Sequence, residues 1–197
     1  QANDIEYFAF WRGHPEAFAL FDKYNLNPQI WQTLTSPKSG SQEEKVVMAG
    51  TQLLSLVEKT HTMGSKLGLY NHGGWGGEPE NMIAVIEWLR GETEADHVGI
   101  VYNLHHGHEH VDRFDSLLNK MLPYLLCLNL NGTNTEPNPK ILELGNGEHD
   151  VDLMKSILNS GYSGPVGVLG HKAEEDVEQS LLSNLDGLGT LLLEASN

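Results

Sequence analysis

Short apolar runs rich in β-branched and aromatic residues recur along the chain, each followed by a polar or glycine-containing turn and then by a stretch of helical periodicity. The runs predict strands over Ile5 to Phe10, Gln29 to Thr33, Leu67 to Asn71, Val98 to Asn103, Leu125 to Leu130 and Val166 to Leu169. Between them the pattern predicts helices over Pro15 to Tyr24, Gln42 to Gly64, Pro79 to Leu89, Asp112 to Leu122, Val151 to Asn159 and Ala173 to Leu193. Pro79 suits a first helical turn, where its missing N–H costs nothing. Gly64 and Gly161 fall where helices should stop in a left-handed residue. The alternation is that of βαβ units.

Strands apolar on both faces fit a parallel sheet covered by helices, either doubly wound or closed into a barrel. Periodicity does not choose between the two. No G-x-G-x-x-G turn follows an early strand, which removes the best reason to expect a dinucleotide fold. At 197 residues the chain is expected to form one domain over its whole length. Ser36-Pro37-Lys38-Ser39-Gly40-Ser41 reads as a surface loop.

Charge narrows the partners. With 27 acidic against 12 basic residues, the formal charge is −15, and such a field repels phosphodiester backbones and anionic lipid surfaces. Nucleic acid and membrane are therefore not expected as partners of this acidic protein. Cys127 is the only cysteine and sits among leucines, which predicts a buried thiol rather than a nucleophile. No run of 18 apolar residues exists, and Gln1-Ala2-Asn3-Asp4 lacks the features of a signal peptide. The expectation is a soluble protein, cytoplasmic, or periplasmic or secreted where a signal has already been removed.

Candidate chemistry gathers at the strand ends: Tyr70-Asn71-His72-Gly73-Gly74-Trp75, Asn103-Leu104-His105-His106-Gly107-His108, Asn129-Leu130-Asn131-Gly132-Thr133-Asn134 and Gly170-His171. Four strands finish in amides and imidazoles. In a parallel barrel the active site is built at that face by the βα loops.

These phrases, together with Leu144-Gly145-Asn146-Gly147-Glu148 and Gly161-Tyr162-Ser163-Gly164-Pro165-Val166-Gly167, resemble the xylose-isomerase-like TIM barrels, over about Leu67 to Leu192. That family includes sugar isomerases, sugar-phosphate isomerases and epimerases, and 3-keto-glycoside lyases. The resemblance implies an α/β fold of (β/α)8 type in which Leu67 to Asn71 is the fifth strand. The first two βα units are then expected to be lacking, since a full barrel takes about 250 residues. A neighbouring copy in a homo-oligomer, or an open edge, would deal with the gap.

The resemblance also implies a divalent metal held by Glu, Asp, His and Glu from the fifth to eighth strands, but the matching positions here are Tyr70, Asn103, Asn129 and Leu169. A neutral amide or an alkyl group does not replace a carboxylate at a hard-cation site. Histidines nearby offer another set, His72, His106 and His171, which would suit Zn or Mn; His106 falls where the family's Asp-x-x-His histidine lies. Neutral imidazole serves equally as a structural or substrate-binding group. Trp75 reads as a sugar-stacking face or a loop anchor, and Trp11 with Arg12 could reach the same mouth, Arg12 as an anion or hydroxyl clamp. Asp150 reads as a helix cap, and Glu109, Asp112 and Asp115 as a solvated helix start.

Two functions compete. One is an enzyme on a monosaccharide or keto-sugar that abstracts a proton next to a carbonyl, with His106 or His72 as base and Asn71, Trp75, Asn103, Asn129 and Asn131 holding substrate. The other is a non-catalytic carbohydrate-binding barrel that has lost the family metal site. A metal-cluster endonuclease is disfavoured by the charge and the missing carboxylates. The histidines and asparagines His72, Asn103, His106, Asn131 and His171 are expected to converge on one pocket.

Overall fold

A computed structural model describes residues 5–136, 138–139, 141–170 and 174–196. It divides into two compact units, Gln1–Val101 and Tyr102–Asn197. Among the described residues there are six strands: β1 (Ala9–Trp11), β2 (Gln29–Thr33), β3 (Leu67–Tyr70), β4 (Val98–Asn103), β5 (Leu125–Leu130) and β6 (Val166–Val168). The helices are α1 (Pro15–Tyr24), α2 (Gln42–Thr51), α3 (Leu54–Thr62), α4 (Pro79–Glu92), α5 (Phe114–Met121), α6 (Asp150–Asn159) and α7 (Val177–Ala195).

In the first unit β1, β2, β3 and β4 lie parallel in chain order. Register sorts their residues by the two-residue period of a strand. Ile30, Leu67, Leu69 and Ile100 share one face and are fully buried. Burying each contributes about 1.5 to 3 kcal/mol. The other face carries Trp11, Gln29, Trp31, Thr33, Gly68 and Tyr70, a polar and aromatic set. Helix α2 packs on α4, and Gly50 makes their approach close: a Cβ there would collide with the Trp88 ring.

In the second unit β5 and β6 are parallel, with Asn129 opposite Gly167. Leu128 and Leu130 point one way, Cys127 and Asn129 the other. The last two residues of β4, Tyr102 and Asn103, belong to this unit. Tyr102 is fully buried, its hydroxyl 2.9 Å from His110 Nδ1. Helix α6 packs on α7, and Gly187 of α7 lets the Leu144 carbonyl lie against it. No described helix is long and apolar enough to cross a membrane.

Boundaries differ from the sequence-based expectation at several places, α4 running on to Glu92 rather than Leu89 and α7 beginning at Val177 rather than Ala173 among them. Ile5 to Tyr7 stay outside the ladder, which opens where Gln29 N donates to Phe8 O at 2.9 Å and pairs residues from Ala9 onward. The helix expected over Gln42 to Gly64 breaks at Gln52-Leu53, just past the Gly50 contact with Trp88. The stretch from His108 to Arg113 is a tighter 3-10 segment, so α5 starts at Phe114 rather than Asp112. Helix ends at Gly64 and Gly161 are as expected, with φ of 66° and 77°.

The β3 to β4 side of the first unit holds a pH-sensitive contact. Thr60, fully buried, sits 2.9 Å from His97 Nε2 while its hydroxyl reaches Leu56 O at 2.8 Å. That pattern makes Nε2 the protonated nitrogen, donating to Thr60, and Nδ1 is buried with no hydrogen-bond partner among the described residues. Burial, then the nearby His61, hold the His97 pKa below its ordinary value. The folded state thus binds fewer protons than the unfolded one, so this contribution to stability is complete above about pH 6.5 and is lost as pH falls below it. Urea midpoints measured from pH 7.5 to 5.0 should fall on acidification and fall less in His97→Gln; equal slopes would contradict the assignment.

Candidate functional site

Each unit places polar groups at the C-terminal ends of its strands. In the first, β1, β2 and β3 deliver Trp11, Trp31 and Tyr70. The Trp31 and Tyr70 rings stack with centroids 5.9 Å apart, and Trp11 meets Tyr70 edge to face at 4.6 Å. Gly68 opens the space: a Cβ there would lie 3.1 Å from Trp31 Cδ1. Trp31 Nε1 donates to Gln29 Oε1 at 2.9 Å, which fixes the ring. His72 approaches Trp11 and Tyr70 at 6.5 and 6.4 Å between ring centroids.

Beside these rings lies a cavity of about 180 Å³ lined by Trp11, Arg12, Thr33, Ser36, Tyr70 and His72 among others. It is smaller than the clefts of roughly 300 to 1,000 Å³ that hold drug-sized ligands, and so suits a small polar molecule. Ser36 Oγ accepts from Gly76 N at 2.9 Å, tying the loop after β2 to the loop after β3. Arg12 follows the last pairing of β1 with φ 68°, a conformation that costs a non-glycine residue about 1 to 3 kcal/mol, and its N–H donates to Trp31 O at 2.8 Å. Trp75 is anchored: its indole N–H donates to Gln42 Oε1 at 3.0 Å, and its carbonyl accepts from Asn81. Asn71, just past β3, is fully buried, its N–H on Val101 O.

In the second unit Asn103 ends β4 fully buried, and its Oδ1 accepts from His105 N at 2.9 Å, capping the short turn Leu104–His106. The His105 and His106 rings lie 4.4 Å apart, both partly exposed, in the turn that directly follows β4. His110 faces inward to Tyr102 and is structural. Asn129 Oδ1 accepts from Cys127 Sγ at 3.8 Å, and it lies where a Cβ on Gly167 would be. Cys127 is 1% exposed, and burial pushes its thiol up to about 11, so it is no nucleophile at neutral pH. Asn131 is fully buried, donates from Nδ2 to Gly132 O at 2.9 Å, and leaves Oδ1 with no partner among the described residues.

The Gly145 to Asp150 phrase is a clamp. Asp150, 4% exposed, accepts from Thr133 N at 2.7 Å through Oδ1 and from Gly145 N and Gly147 N at 2.8 and 2.9 Å through Oδ2. It is the first residue of α6 and not its cap, a position held by His149. Gly147 is needed because a Cβ there would collide with Thr133 backbone, and Gly145 has φ 88°. Gly161 to Gly167 is likewise structural: Tyr162 Oη donates to Pro165 O at 2.8 Å, its ring resting on Gly164, and burial raises its pKa.

His72 and the aromatic rings thus fall in the first unit, and Asn103, His106, Asn129 and Asn131 in the second. His171 lies outside the described residues. The Trp31 contribution escaped the sequence reading; its signal was the alternation of Gln29-Ile30-Trp31-Gln32-Thr33, which puts Trp31 on the face of Trp11 and Tyr70.

No family model and no curated protein sequence matches the chain. Its fold, by contrast, matches solved structures along nearly its whole length. Over 99% of this chain and 80% of the other, it superposes on a D-tagatose 3-epimerase-like protein with a TM-score of 0.70 at 14% identity. The fold is that of the xylose-isomerase-like TIM barrels. A xylose isomerase domain protein from Planctomyces limnophilus matches at 0.69 and 14% identity over 100% of this chain and 80% of its own. The IOLI protein, solved with a zinc atom, matches at 0.68 and 15% identity over 94% of this chain and 76% of its own. Within this barrel fold, the strand ends described above are the face on which active sites are built.

The divalent metal that the sequence resemblance implies does not fit Tyr70, Asn103, Asn129 and Leu169, the residues that the resemblance assigns to hold it. The Tyr70 ring is engaged with Trp11 and Trp31, Asn103 Oδ1 with His105 N, Asn129 Oδ1 with Cys127, and Leu169 has no donor side chain. Without a carboxylate this set does not hold a hard divalent cation. The imidazole set His72, His106 and His171 depends on a histidine outside the described residues. Among the described residues no three His, Cys, Asp or Glu side chains gather as metal donors.

Proposed function

We propose that the chain is a sugar isomerase or epimerase-like enzyme that binds a monosaccharide or keto-sugar and abstracts a proton next to its carbonyl. The observation that carries this reading is the first unit's cavity: small, polar, walled by Trp11 and Tyr70, and located at the strand ends. An aromatic face beside hydroxyl-bonding groups is the combination that a sugar ring requires, since its C–H faces are apolar and its rim polar. The likeness to epimerase-like and isomerase-domain barrels supports the same class.

Roles are assigned within each unit separately. In the first, His72 is the candidate base, with Thr33, Ser36 and Tyr70 as hydroxyl partners. In the second, His106 is the candidate base, and Asn103, Asn129 and Asn131 are amide partners; the unpartnered Oδ1 of buried Asn131 is suited to accept from a sugar hydroxyl. The base takes the proton from the carbon next to the carbonyl and the electron pair moves to the carbonyl oxygen to give an enediolate; a proton returned to the opposite face of the same carbon gives the epimer, and one returned to the former carbonyl carbon, with the hydroxyl proton of the first carbon passing to the other oxygen, gives the isomer. Hydrogen-bond donors at the enediolate oxygen stabilise the charge as it develops.

A second reading, a carbohydrate-binding barrel without catalysis, is favoured by the chemistry of Tyr70, Asn103, Asn129 and Leu169, the residues that the sequence resemblance assigns to the family's metal-ligand positions, none of which is a carboxylate or imidazole. Incubating the purified chain with a panel of ketoses, aldoses and 3-keto-glycosides and separating the products distinguishes the two. The enzyme reading expects a new isomer, epimer or elimination product from at least one class. Saturable binding without any product would establish the binder, and neither binding nor product would overturn both.

A further inference from the structure

Helix α7 is amphipathic the wrong way round. Its buried residues are Ser180, Asn184 and Leu191, and its inward side is mostly small and polar: Asn184 Oδ1 accepts from Leu144 N at 3.0 Å, its Nδ2 donates to Ser180 O at 2.7 Å, and Gly187 lies against the Leu144 carbonyl. The large apolar side chains face solvent instead. Val177 and Leu193 are 80% and 72% exposed, and Leu181, Leu182, Leu185 and Leu192 between 40% and 50%. At about 100° of turn per residue these six fall within roughly 160° of the helix circumference, so they form one stripe about four turns long. Single exposed leucines need no explanation, whereas a continuous row of them marks an interaction surface.

Charge decides what covers it. From Glu174 to Ala195 the chain carries six carboxylates, all exposed, and no lysine, arginine or histidine. Glu178 and Asp186 lie one turn before and one turn after Leu182, which sets acids along the border of the stripe. A second copy would bring the same carboxylates against this rim, and an anionic lipid surface would be repelled likewise. A helix with apolar side chains at i, i+3, i+4 and i+7 and lysines or arginines beside them satisfies both the stripe and the rim.

We infer that the outer face of α7 docks a basic amphipathic helix of a partner protein, with the partner's apolar stripe on Leu181, Leu185 and Leu192 and its cations beside Glu178 and Asp186. The docking face shares no residue with the strand-end sites, and it stands whether or not the chain binds a sugar.

Three fluorescent peptides of about 18 residues, long enough to form a helix on binding, test it by anisotropy with the intact chain at physiological salt. One has leucines at helical spacing among lysines, one the same leucines among glutamates, and one the leucine and lysine composition scrambled so that no apolar face forms. The patterned lysine peptide should bind saturably, one per chain, at least about ten-fold tighter than the scrambled one, and the glutamate peptide should not bind. Replacing Leu181, Leu185 and Leu192 together by glutamine keeps helix propensity at exposed positions, and should reduce the patterned peptide to the affinity of the scrambled one. Glu178→Gln with Asp186→Asn should weaken the patterned peptide and flatten its salt dependence. Equal binding of the patterned and scrambled peptides by the unaltered chain would show attraction to its overall charge of −15 alone, and overturns the inference without recourse to any variant. Unchanged affinity in the triple leucine variant overturns it as well. So does sedimentation of the unaltered chain as a dimer that the variant loses, which gives the face to a second copy, or binding to phosphatidylcholine vesicles that the variant loses, which gives it to a membrane.

Discussion

Asp150→Ala is expected to destabilise the chain by about 3 to 5 kcal/mol, the largest stability effect predicted for a single polar residue here. Its carboxylate accepts three backbone N–H groups, from Thr133, Gly145 and Gly147, and it is 4% exposed. Each donor stranded in a buried site costs about 1 to 3 kcal/mol, and hydrogen bonds to a charged group lie at the upper end of the net scale. The sum is not additive, because the loop can relax and admit water. Asp150→Asn retains one accepting oxygen but turns an amide N–H₂ toward a backbone donor, so about half the loss is expected. Urea unfolding reads both variants; a midpoint for Asp150→Ala within about 1 kcal/mol of the unaltered chain would show that the loop does not depend on this clamp.

The clamp shows what a sequence conveys and what it withholds. Leu144-Gly145-Asn146-Gly147-Glu148 is conspicuous as a phrase, and Asp150 at the head of α6 reads naturally as a cap. Its true partners include Thr133, 17 positions earlier, and no local pattern announces that contact. Strand positions fared better, because burial on one face forces the period: β3, β4 and β5 lie where the apolar runs place them, within one residue. The helix break at Gln52-Leu53 was not legible, since its neighbour Gly50 is shaped by Trp88 from another helix.

The candidate site divides in the same way. Amides and imidazoles at the strand ends stand out in the sequence, but their local bonds do not. Asn103 caps the turn that follows it, and Trp75 is tethered to Gln42. Arg12 and Trp11 were visible as residues of the right kind; the left-handed backbone and the ring contacts that give them a cavity come from pairing with β2 and β3.

The second large effect concerns the base. Either His106→Asn or His72→Asn should lower turnover of the active sugar about 10²- to 10⁴-fold, the contribution of a positioned general base. Loss in kcat with KM nearly constant would mark a group acting on the transition state; a change in KM alone would mark a substrate contact. His110→Asn serves as the control for histidine loss. It faces buried Tyr102, so it should reduce stability rather than rate per folded molecule. Urea midpoints taken alongside the kinetics separate the two. Turnover unchanged in both His106→Asn and His72→Asn would remove these two imidazoles from the mechanism.

Proton abstraction next to a carbonyl is the central claim, and exchange with solvent reports it without knowledge of the product. The chain incubated in D₂O with the sugar that binds best should replace the hydrogen on the carbon next to the carbonyl by deuterium, seen as loss of that proton resonance, at a rate above the buffer and suppressed in the inactive histidine variant. Retention of that resonance at the buffer rate, with the sugar demonstrably bound, would contradict the enzymatic account and leave a carbohydrate-binding barrel.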